Sequence, residues 1–525
     1  MILISSAAFV NPEFRAEFGL LPPSMLPIGN KRLLEHQIVA LAGKFRGNPI
    51  SVSLPASYAM APNEQRIFLQ TGTKLLTVPD DLTLRDSVAF CLDATPSDAH
   101  NFRILYGDTL LTDFPDAKDC VALAMAQDNY AWEYEGSSDD ARVWCGFFSF
   151  SDRSLLRKCL TENEDFIGAV RRYGSFKKLE MITVDQWMDF GHINTYFKSR
   201  SKFTTQRSFN SLFIQNGTVT KTGEPRQKIV AESQWFDQIP RRLRTYAPQL
   251  IDKGNYPDGP FYVLEYLPLP PLNEVFVHGQ NDAPYWRNII QRCVHFLAEC
   301  AQEPLTAAQT VAIGKDFYDL VHKKTYERLG QYLASQDTLS LTSRITVNGM
   351  QAPALEEIAQ DCITRVTQLP AVPGVMHGDF CFSNILFDSR TGNIKVLDPR
   401  GINSAGEQTI YGDLRYDLAK LTHSMLGLYD HIVAGAYDCT CAGDASNPEF
   451  SLIIYGENKI SRLQNEFLNI EFFPGVTAQS IVPLVVLLFL SMLPLHADKK
   501  ERQLAFLANA VRIYTSFITD SGFAK

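Results

Sequence analysis

The chain has 525 residues, 45% of them hydrophobic and 20% charged, the composition of an ordinary globular protein with room for two or three domains. Its net charge of −9 argues against nonspecific binding to nucleic acid or to an anionic membrane surface. The ten cysteines are scattered, Cys439 and Cys441 being the only close pair, and no Cys/His group has zinc spacing; this predicts reduced thiols in a cytoplasmic protein.

Ile2-Leu3-Ile4 reads as an opening strand rather than a signal peptide, and the small residues Ser5, Ser6, Ala7 and Ala8 follow it. Leu26-Pro27-Ile28-Gly29-Asn30-Lys31-Arg32-Leu33-Leu34-Glu35-His36-Gln37 reads as a turn feeding a helix. Further strands are predicted at 50–54, 74–78 and 103–106, with helical segments between several of them. That alternation predicts an α/β fold with a mostly parallel sheet. One strand runs directly into Gly107-Asp108, and a second acidic motif follows at Trp187-Met188-Asp189-Phe190-Gly191.

These pieces resemble the sugar-1-phosphate nucleotidyltransferases: the Leu-Pro-Ile-Gly-Asn-Lys segment, the strand ending in Gly-Asp, and the Trp-x-Asp-x-Gly motif. The resemblance implies a Rossmann-like domain over residues 1–200. It implies that Asp108 and Asp189 are ligands of one Mg²⁺, and that CTP or another nucleoside triphosphate binds there. Two departures stand out. Where that family has a Gly-x-Gly-x-Arg loop, this chain has Ala8-Phe9-Val10-Asn11-Pro12-Glu13-Phe14-Arg15, without glycine, and Pro22-Pro23 replaces a Pro-Lys pair. Arg15 and Lys31 are then the side chains left to hold a triphosphate. A working nucleotidyltransferase and a degenerate one kept as a scaffold or binding module are both open.

Residues 197–202 are basic and polar, and the domain boundary is placed there, between 200 and 201. Strands are predicted at 208–214 and 218–221, joined by Gln215-Asn216-Gly217, a hairpin signal. Residues 227–236 have helical spacing and include Lys228 and Glu232. A strand at 261–267, containing Glu265, runs into Pro268-Leu269-Pro270-Pro271. Helices are expected at 285–303 and 316–334, where His295 and His322 read as structural or exposed residues.

The densest chemistry lies at residues 375–401. An apolar run ends in His377-Gly378-Asp379, Asn384 follows five residues later, and two short strands around a polar turn lead to Asp398-Pro399-Arg400-Gly401. Such a hairpin puts Asn384 and Asp398 close in space. A loop aspartate can orient a hydroxyl and take its proton, while an Asn and a second Asp can hold Mg²⁺ against nucleotide phosphates. Downstream, Tyr416-Asp417-Leu418-Ala419 opens a further helix. From Leu421 on, the pattern reads as helical to the end, with a last helix at 499–517. The apolar run 480–495 is short for a membrane span and contains two prolines, which predicts a buried helix.

The order and spacing at 377–398 resemble the aminoglycoside and choline phosphotransferases, relatives of the protein kinases, with His-Gly-Asp in place of His-Arg-Asp and Asp-Pro-Arg in place of Asp-Phe-Gly. The resemblance implies an α+β, bilobal, kinase-like domain over 201–525 that uses Mg²⁺ and ATP or GTP. Asp379 would be the base and His377 would support its loop. Asn384 and Asp398 would hold the metal. Lys221 would steady the phosphates and pair with Glu232, with Lys228 as its rival, and the strand end around Glu265 would form the adenine hinge. Asp417 would accept hydrogen bonds from the catalytic loop. Together the two resemblances imply an enzyme that phosphorylates a sugar, polyol or amino alcohol and couples the phosphate to a nucleotide, as precursors of surface polysaccharide or lipid require. The alternative is a kinase carrying an inactive nucleotidyltransferase-like scaffold.

Overall fold

The computed structural model describes residues 1–95, 101–126, 128, 130–135, 142–202, 210–336, 339–444 and 447–519. The chain divides into two compact units: Met1–Thr204 with His278–Asn281, and Thr205–Val277 with Asp282–Lys525.

The first unit is built on one large sheet. Ile2–Ser5 pairs in parallel with Ile50–Pro55 on one side and with Phe102–Tyr106 on the other, and Lys74–Val78 continues the parallel run beyond Ile50–Pro55. Arg142–Phe150 lies antiparallel between Phe102–Tyr106 and Cys120–Met125, and Glu180–Thr183 runs parallel to the latter. The sheet is therefore mixed, with a parallel half and one reversed strand. Leu3, Ile104, Val121, Phe148, Phe150, Phe166 and Tyr173 meet in its core. Strand order reverses at Ile2–Ser5, whose neighbours lie on opposite sides in the sequence of crossovers. Open α/β sheets place ligands at such a point, outside the carboxyl ends of the strands. Asp108 follows Phe102–Tyr106 at that end.

The basic stretch expected to join the domains is part of this unit. Residues 193–201 form the helix Ile193–Ser201, in which Ile193, Tyr196, Phe197 and Ser199 are buried while Lys198 is exposed. The charges that suggested a linker are the solvent face of an amphipathic helix whose apolar residues fall at helical spacing. Residues 208 and 209 of the expected strand 208–214 lie outside the described residues.

The second unit has a strand lobe and a helical lobe. The strand lobe is an antiparallel sheet in the order Asn210–Gln215, Thr218–Gly223, Gly259–Glu265, Leu250–Tyr256. Asn216 and Gly217, both at positive φ (52° and 74°), close its first hairpin as a two-residue turn. The helix Arg226–Gln238 packs beneath it and sends the Trp235 indole N–H to the Met376 carbonyl at 2.9 Å.

In the helical lobe Ala283–Cys300 is followed by Ala307–Tyr318 and Lys324–Ala334, joined through a wider π turn at Asp319–Lys323. The single helix expected at 316–334 thus starts earlier and changes its winding midway. Every residue of Val482–Met492 is buried. Among the described residues, no helix is long and apolar enough to cross a membrane. The stretch after Leu421 is not all helical, as it was expected to be. Tyr437–Asp444 and Asn447–Ile454 form an antiparallel hairpin that joins Arg344–Val347 and Met350–Ala354 in one sheet. Pro448, Phe450, Leu452 and Ile454 are buried and alternate with exposed residues, a period of two that specifies a strand.

Candidate active sites

In the second unit the chain from Val375 to Gly401 turns back on itself. The strands Ile385–Asp388 and Asn393–Val396 pair in register, and the Leu397 N–H donates to the Asn384 carbonyl at 2.9 Å, which sets Asn384 beside Asp398. Asn384 Nδ2 donates to both the backbone oxygen and Oδ2 of Asp379, at 2.9 and 2.8 Å. Its amide nitrogen is thereby committed to the loop, while its oxygen accepts only the Ser383 hydroxyl, at 3.4 Å, and is the atom that could face a cation. Asp398 has φ 54°, a conformation that non-glycine residues adopt at a cost and that tends to be kept where function requires it.

The strand lobe reaches Asp398 through Lys221. The buried Lys221 ammonium lies 2.7 Å from Glu232 Oε2 and 2.9 Å from Asp398 Oδ1. Burial alone would lower the Lys221 pKa, but Asp398 and Glu232 outweigh it and hold it above the ordinary lysine value. Glu232 is fully buried and also accepts the Tyr262 hydroxyl at 2.8 Å. Lys228 is half exposed and 3.5 Å from the other Glu232 oxygen, so it flanks the pair without replacing Lys221. Glu265 ends its strand exposed. Its carboxylate accepts the Gln249 N–H at 3.3 Å and its own N–H donates to the Gln249 carbonyl at 3.0 Å, which ties this strand end into the sheet.

The helix Arg415–Met425 anchors the loop from below. Asp417 accepts the N–H groups of His377 and Gly378, both at 2.7 Å. Burial pushes its pKa up to about 7 against the pull of those two bonds. Gly378 has φ 80°, and a β-carbon there would come within 2.5 Å of Arg400, so the tight loop needs glycine. His377 is fully buried, its Nδ1 accepts the Asp379 N–H at 3.3 Å, and burial lowers its pKa to about 4, which keeps the ring neutral. The same helix brings a residue that the sequence did not single out: Lys420 Nζ lies 3.0 Å from Asp379 Oδ1. Burial works to raise the Asp379 pKa, but the Lys420 ammonium overrides it and holds the carboxyl well below the usual range. Asp379 is therefore ionised, partly exposed, and held at both oxygens.

In the first unit Asp108 and Asp189 come together across Gly191. A β-carbon built on Gly191 would stand 2.6 Å from Asp108 Oδ2 and 3.4 Å from Asp189 Oδ1. The pairing of Trp187–Asp189 with Thr109–Leu111 and the bond from Phe190 N–H to the Asp108 carbonyl at 2.8 Å fix this approach. Burial and the neighbouring Asp189 push the Asp108 pKa up to about 6. Asp189 accepts the Gly191 N–H, the His192 ring and the Thr195 hydroxyl. The hydrogen bond to Asp189 raises the His192 pKa. Gln37, on the helix Leu33–Lys44, donates from Nε2 to the carbonyls of Tyr106, Gly107 and Thr109, and so pins the loop that carries Asp108.

Two carboxylates at a strand's carboxyl end are a donor set for a hard divalent cation. The stretch where a phosphate loop was sought is instead an Asn11-capped helix, Pro12–Phe18. Arg15 sits exposed on that helix, Lys31 is exposed in the short strand Lys31–Arg32, and no hydrogen bond or ion pair ties either to the carboxylate pair.

Residues 217–437 match the model of the phosphotransferase enzyme family. No curated protein sequence matches the chain significantly. Among solved structures, a nucleoside-diphosphate-sugar pyrophosphorylase from Vibrio cholerae RC9 aligns at 16% identity and TM-score 0.31, over 38% of this chain and 99% of its own. HddC from Yersinia pseudotuberculosis aligns at 14% identity and TM-score 0.28, over 39% of this chain and 99% of its own. A GDP complex of a point mutant of aminoglycoside 2′-phosphotransferase-IIIa aligns at 14% identity and TM-score 0.33, over 59% of this chain and 90% of its own.

Proposed function

We propose, from the premise that residues 217–437 are a phosphotransferase-family domain, that the second unit moves the γ-phosphoryl group of ATP or GTP to a hydroxyl of a small molecule. The observation that carries this reading is the convergence of Asp379, Asn384, Asp398 and Lys221 on one loop. The acceptor oxygen attacks the γ-phosphorus, the bond to the β,γ-bridging oxygen breaks, and the hydroxyl proton passes to Asp379. An Asp379 carboxyl held ionised by Lys420 is a weak base, so its main work is to orient the hydroxyl and to take the proton late. Asn384 Oδ1 and the Asp398 carboxylate would hold Mg²⁺, which when bound neutralises charge on the β- and γ-phosphates. Lys221, kept cationic by Glu232, would steady the same phosphates.

For the first unit the reading is attachment of a nucleotide, from CTP or another nucleoside triphosphate, to a sugar or alcohol phosphate, with Asp108 and Asp189 holding the cation. The two reactions in sequence would yield a nucleotide-activated compound of the kind consumed in surface polysaccharide or lipid assembly. A second reading keeps the first unit as a scaffold. It is favoured by Asp189, whose oxygens already accept three internal hydrogen bonds, and by the lack of a glycine phosphate loop.

The test is mass spectrometry of the full chain incubated with Mg²⁺, ATP or GTP, and a panel of sugars, polyols and amino alcohols, with CTP added in a second arm. Phosphorylated acceptor formed by wild type and lost in Asp398→Ala is the expected result. No transfer to any acceptor together with no Mg²⁺–nucleotide binding would overturn the kinase reading. A nucleotide-linked product in the CTP arm, lost in Asp108→Ala, would separate the active first unit from the scaffold.

A further inference from the structure

The bond to Asp379 does not use up what Lys420 can donate. Its Nζ lies 3.0 Å from Asp379 Oδ1, with the lysine side chain 15% exposed and the aspartate side chain 40% exposed. An ammonium carries three N–H donors. Among the described residues Asp379 is the only hydrogen-bond or ion-pair partner of Lys420, so two donors of a largely buried ammonium meet no protein acceptor. Burial works against the charge, but Asp379 outweighs it and keeps Lys420 cationic. Asp417 and Asp430 also act on this ammonium, so it stands in no excess of positive charge. Neither takes up the spare donors, and Asp417 spends its two oxygens on the N–H groups of His377 and Gly378. The Cys381 thiol, 3.8 Å from the same Asp379 oxygen, is held neutral by burial.

Position along the line of transfer decides what those donors serve. Asn384 Nδ2 bonds Asp379 Oδ2 at 2.8 Å and Lys420 bonds Oδ1, so the residue on the metal side and the ammonium flank one carboxylate. Lys221, Asn384 and Asp398 serve the nucleotide end of the γ-phosphoryl group. A hydroxyl that donates to Asp379 stands ~2.7 Å from the carboxylate, and a productive attack brings it to about 3–3.5 Å from the phosphorus. The Lys420 ammonium, bonded to the same carboxylate, is therefore beside the acceptor end. We infer that Lys420 is a catalytic residue whose spare N–H groups bind the γ-phosphoryl oxygens at the acceptor end during transfer. This inference rests on the phosphotransferase reading of the second unit. The bond from acceptor oxygen to phosphorus forms, the bond from phosphorus to the β,γ-bridging oxygen breaks, and its electron pair leaves with the nucleoside diphosphate. The hydroxyl proton goes to Asp379, and Lys420 keeps all of its own. In such a transition state charge spreads over the phosphoryl oxygens, where a fixed donor in a site partly withdrawn from water is most effective. The cation that makes Asp379 a weak base is then the one that steadies the group in transfer.

The experiment uses the full chain with aluminium fluoride, which together with Mg²⁺ and ADP or GDP mimics the phosphoryl group in flight. Calorimetry measures the affinity for the Mg²⁺–diphosphate without and with aluminium fluoride. Wild type is expected to bind the diphosphate more tightly when aluminium fluoride is present. Lys420→Gln should leave Mg²⁺–diphosphate affinity nearly unchanged and weaken the fluoride complex by roughly tenfold or more. That variant leaves Asp379 without its cation, so Lys420→Gln is also placed in Asp379→Asn, where both partners are neutral and no buried charge is stranded. Adding Lys420→Gln to Asp379→Asn should bring the same loss, since the fluoride complex needs no proton acceptor. Thermal melts of each variant check the fold. A fluoride complex equally tight in Asp379→Asn and in the double variant would overturn the inference and leave Lys420 as a residue that acts only through Asp379. Equal losses of diphosphate and fluoride-complex affinity, the mark of a structural role, would overturn it too. So would a wild type that binds the diphosphate and gains nothing from aluminium fluoride. In each of these cases the wild type still binds the diphosphate, and the phosphotransferase reading stands. A wild type that binds neither Mg²⁺–ADP nor Mg²⁺–GDP would overturn that reading instead.

Discussion

The carboxylates that line the two candidate sites are balanced differently. In the second unit Asp379 meets Lys420 at 3.0 Å, and Asp398 and Glu232 share Lys221 at 2.9 and 2.7 Å. In the first unit Asp108 faces Asp189 across Gly191, and the one ring that could carry positive charge, His192, is bonded to Asp189. The consequence is visible in their acidities: Asp379 is held well below the ordinary carboxylate range, and Asp108 is pushed up to about 6. The first arrangement is charged and balanced before any ligand arrives. The second balances only when a cation arrives or a proton binds.

The largest effect that would break this contrast is catalytic. Asp379→Asn keeps the shape of the loop and the bond from Asn384 but removes the proposed proton acceptor and the anionic partner of Lys420. Turnover should fall by roughly 10²–10⁴-fold, with Mg²⁺–nucleotide affinity nearly unchanged. Steady-state kinetics beside nucleotide titration would show it, and near wild-type turnover would remove Asp379 from the mechanism.

The next effect is on stability. Lys221→Met leaves Glu232 buried and facing Asp398 without their shared cation. Removing one partner of a buried ion pair commonly costs about 3–5 kcal/mol. Denaturant unfolding of the full chain should show the loss, and nucleotide affinity should drop with it. Lys221→Met combined with Glu232→Gln should recover part of the stability but not the affinity. Equal recovery of both would mean that the lysine acts only on the fold.

What could be read from the sequence follows from how far apart the partners lie. Asn384 and Asp398 are joined by one short hairpin, and Lys221 and Glu232 by one strand and one helix. Periodicity and turn residues suffice to bring such partners together. Asp108 and Asp189 meet only through the antiparallel pairing of two three-residue strands, too short to announce themselves, so their convergence came from motif resemblance alone. Lys420 was invisible for another reason. It is three residues past Asp417, on a helix whose rotation is set by the buried Arg415–Asp413 pair at 2.6 Å, a tertiary feature without a local pattern. Gln37 acts through backbone carbonyls, which no side-chain motif records. The charged stretch at 197–202 belongs largely to the helix Ile193–Ser201, and the chain divides at Thr204/Thr205, close to where its composition shifts.

The smallest effect tests the first unit and sharpens the contrast most directly. The Asp108 pKa is raised on folding, from the ordinary value of 3.8 to about 6. A raised carboxylate binds its proton more tightly in the folded chain, so ionised Asp108 opposes folding. That penalty is present in full above pH 6, shrinks as the pH falls, and is gone below about pH 4. Asp108→Asn removes the charge and keeps the shape. At pH 7.5 the variant should be more stable than wild type by about 2 kcal/mol, since one pKa unit corresponds to about 1.4 kcal/mol and the site is partly hydrated. The gain should fade between pH 6 and pH 4. Hydrogen exchange of the amides in Phe102–Tyr106, followed in the full chain across that range, reads the effect in the unit where it arises. Mg²⁺ gives the complementary measurement. It should slow the same exchange in wild type at pH 7.5, by supplying the counter-charge that the fold withholds, and should do little in Asp108→Asn. A variant no more stable than wild type at pH 7.5, with no pH trend, would mean that Asp108 and Asp189 do not oppose each other, and the carboxylate pair would then be a structural feature of the sheet edge.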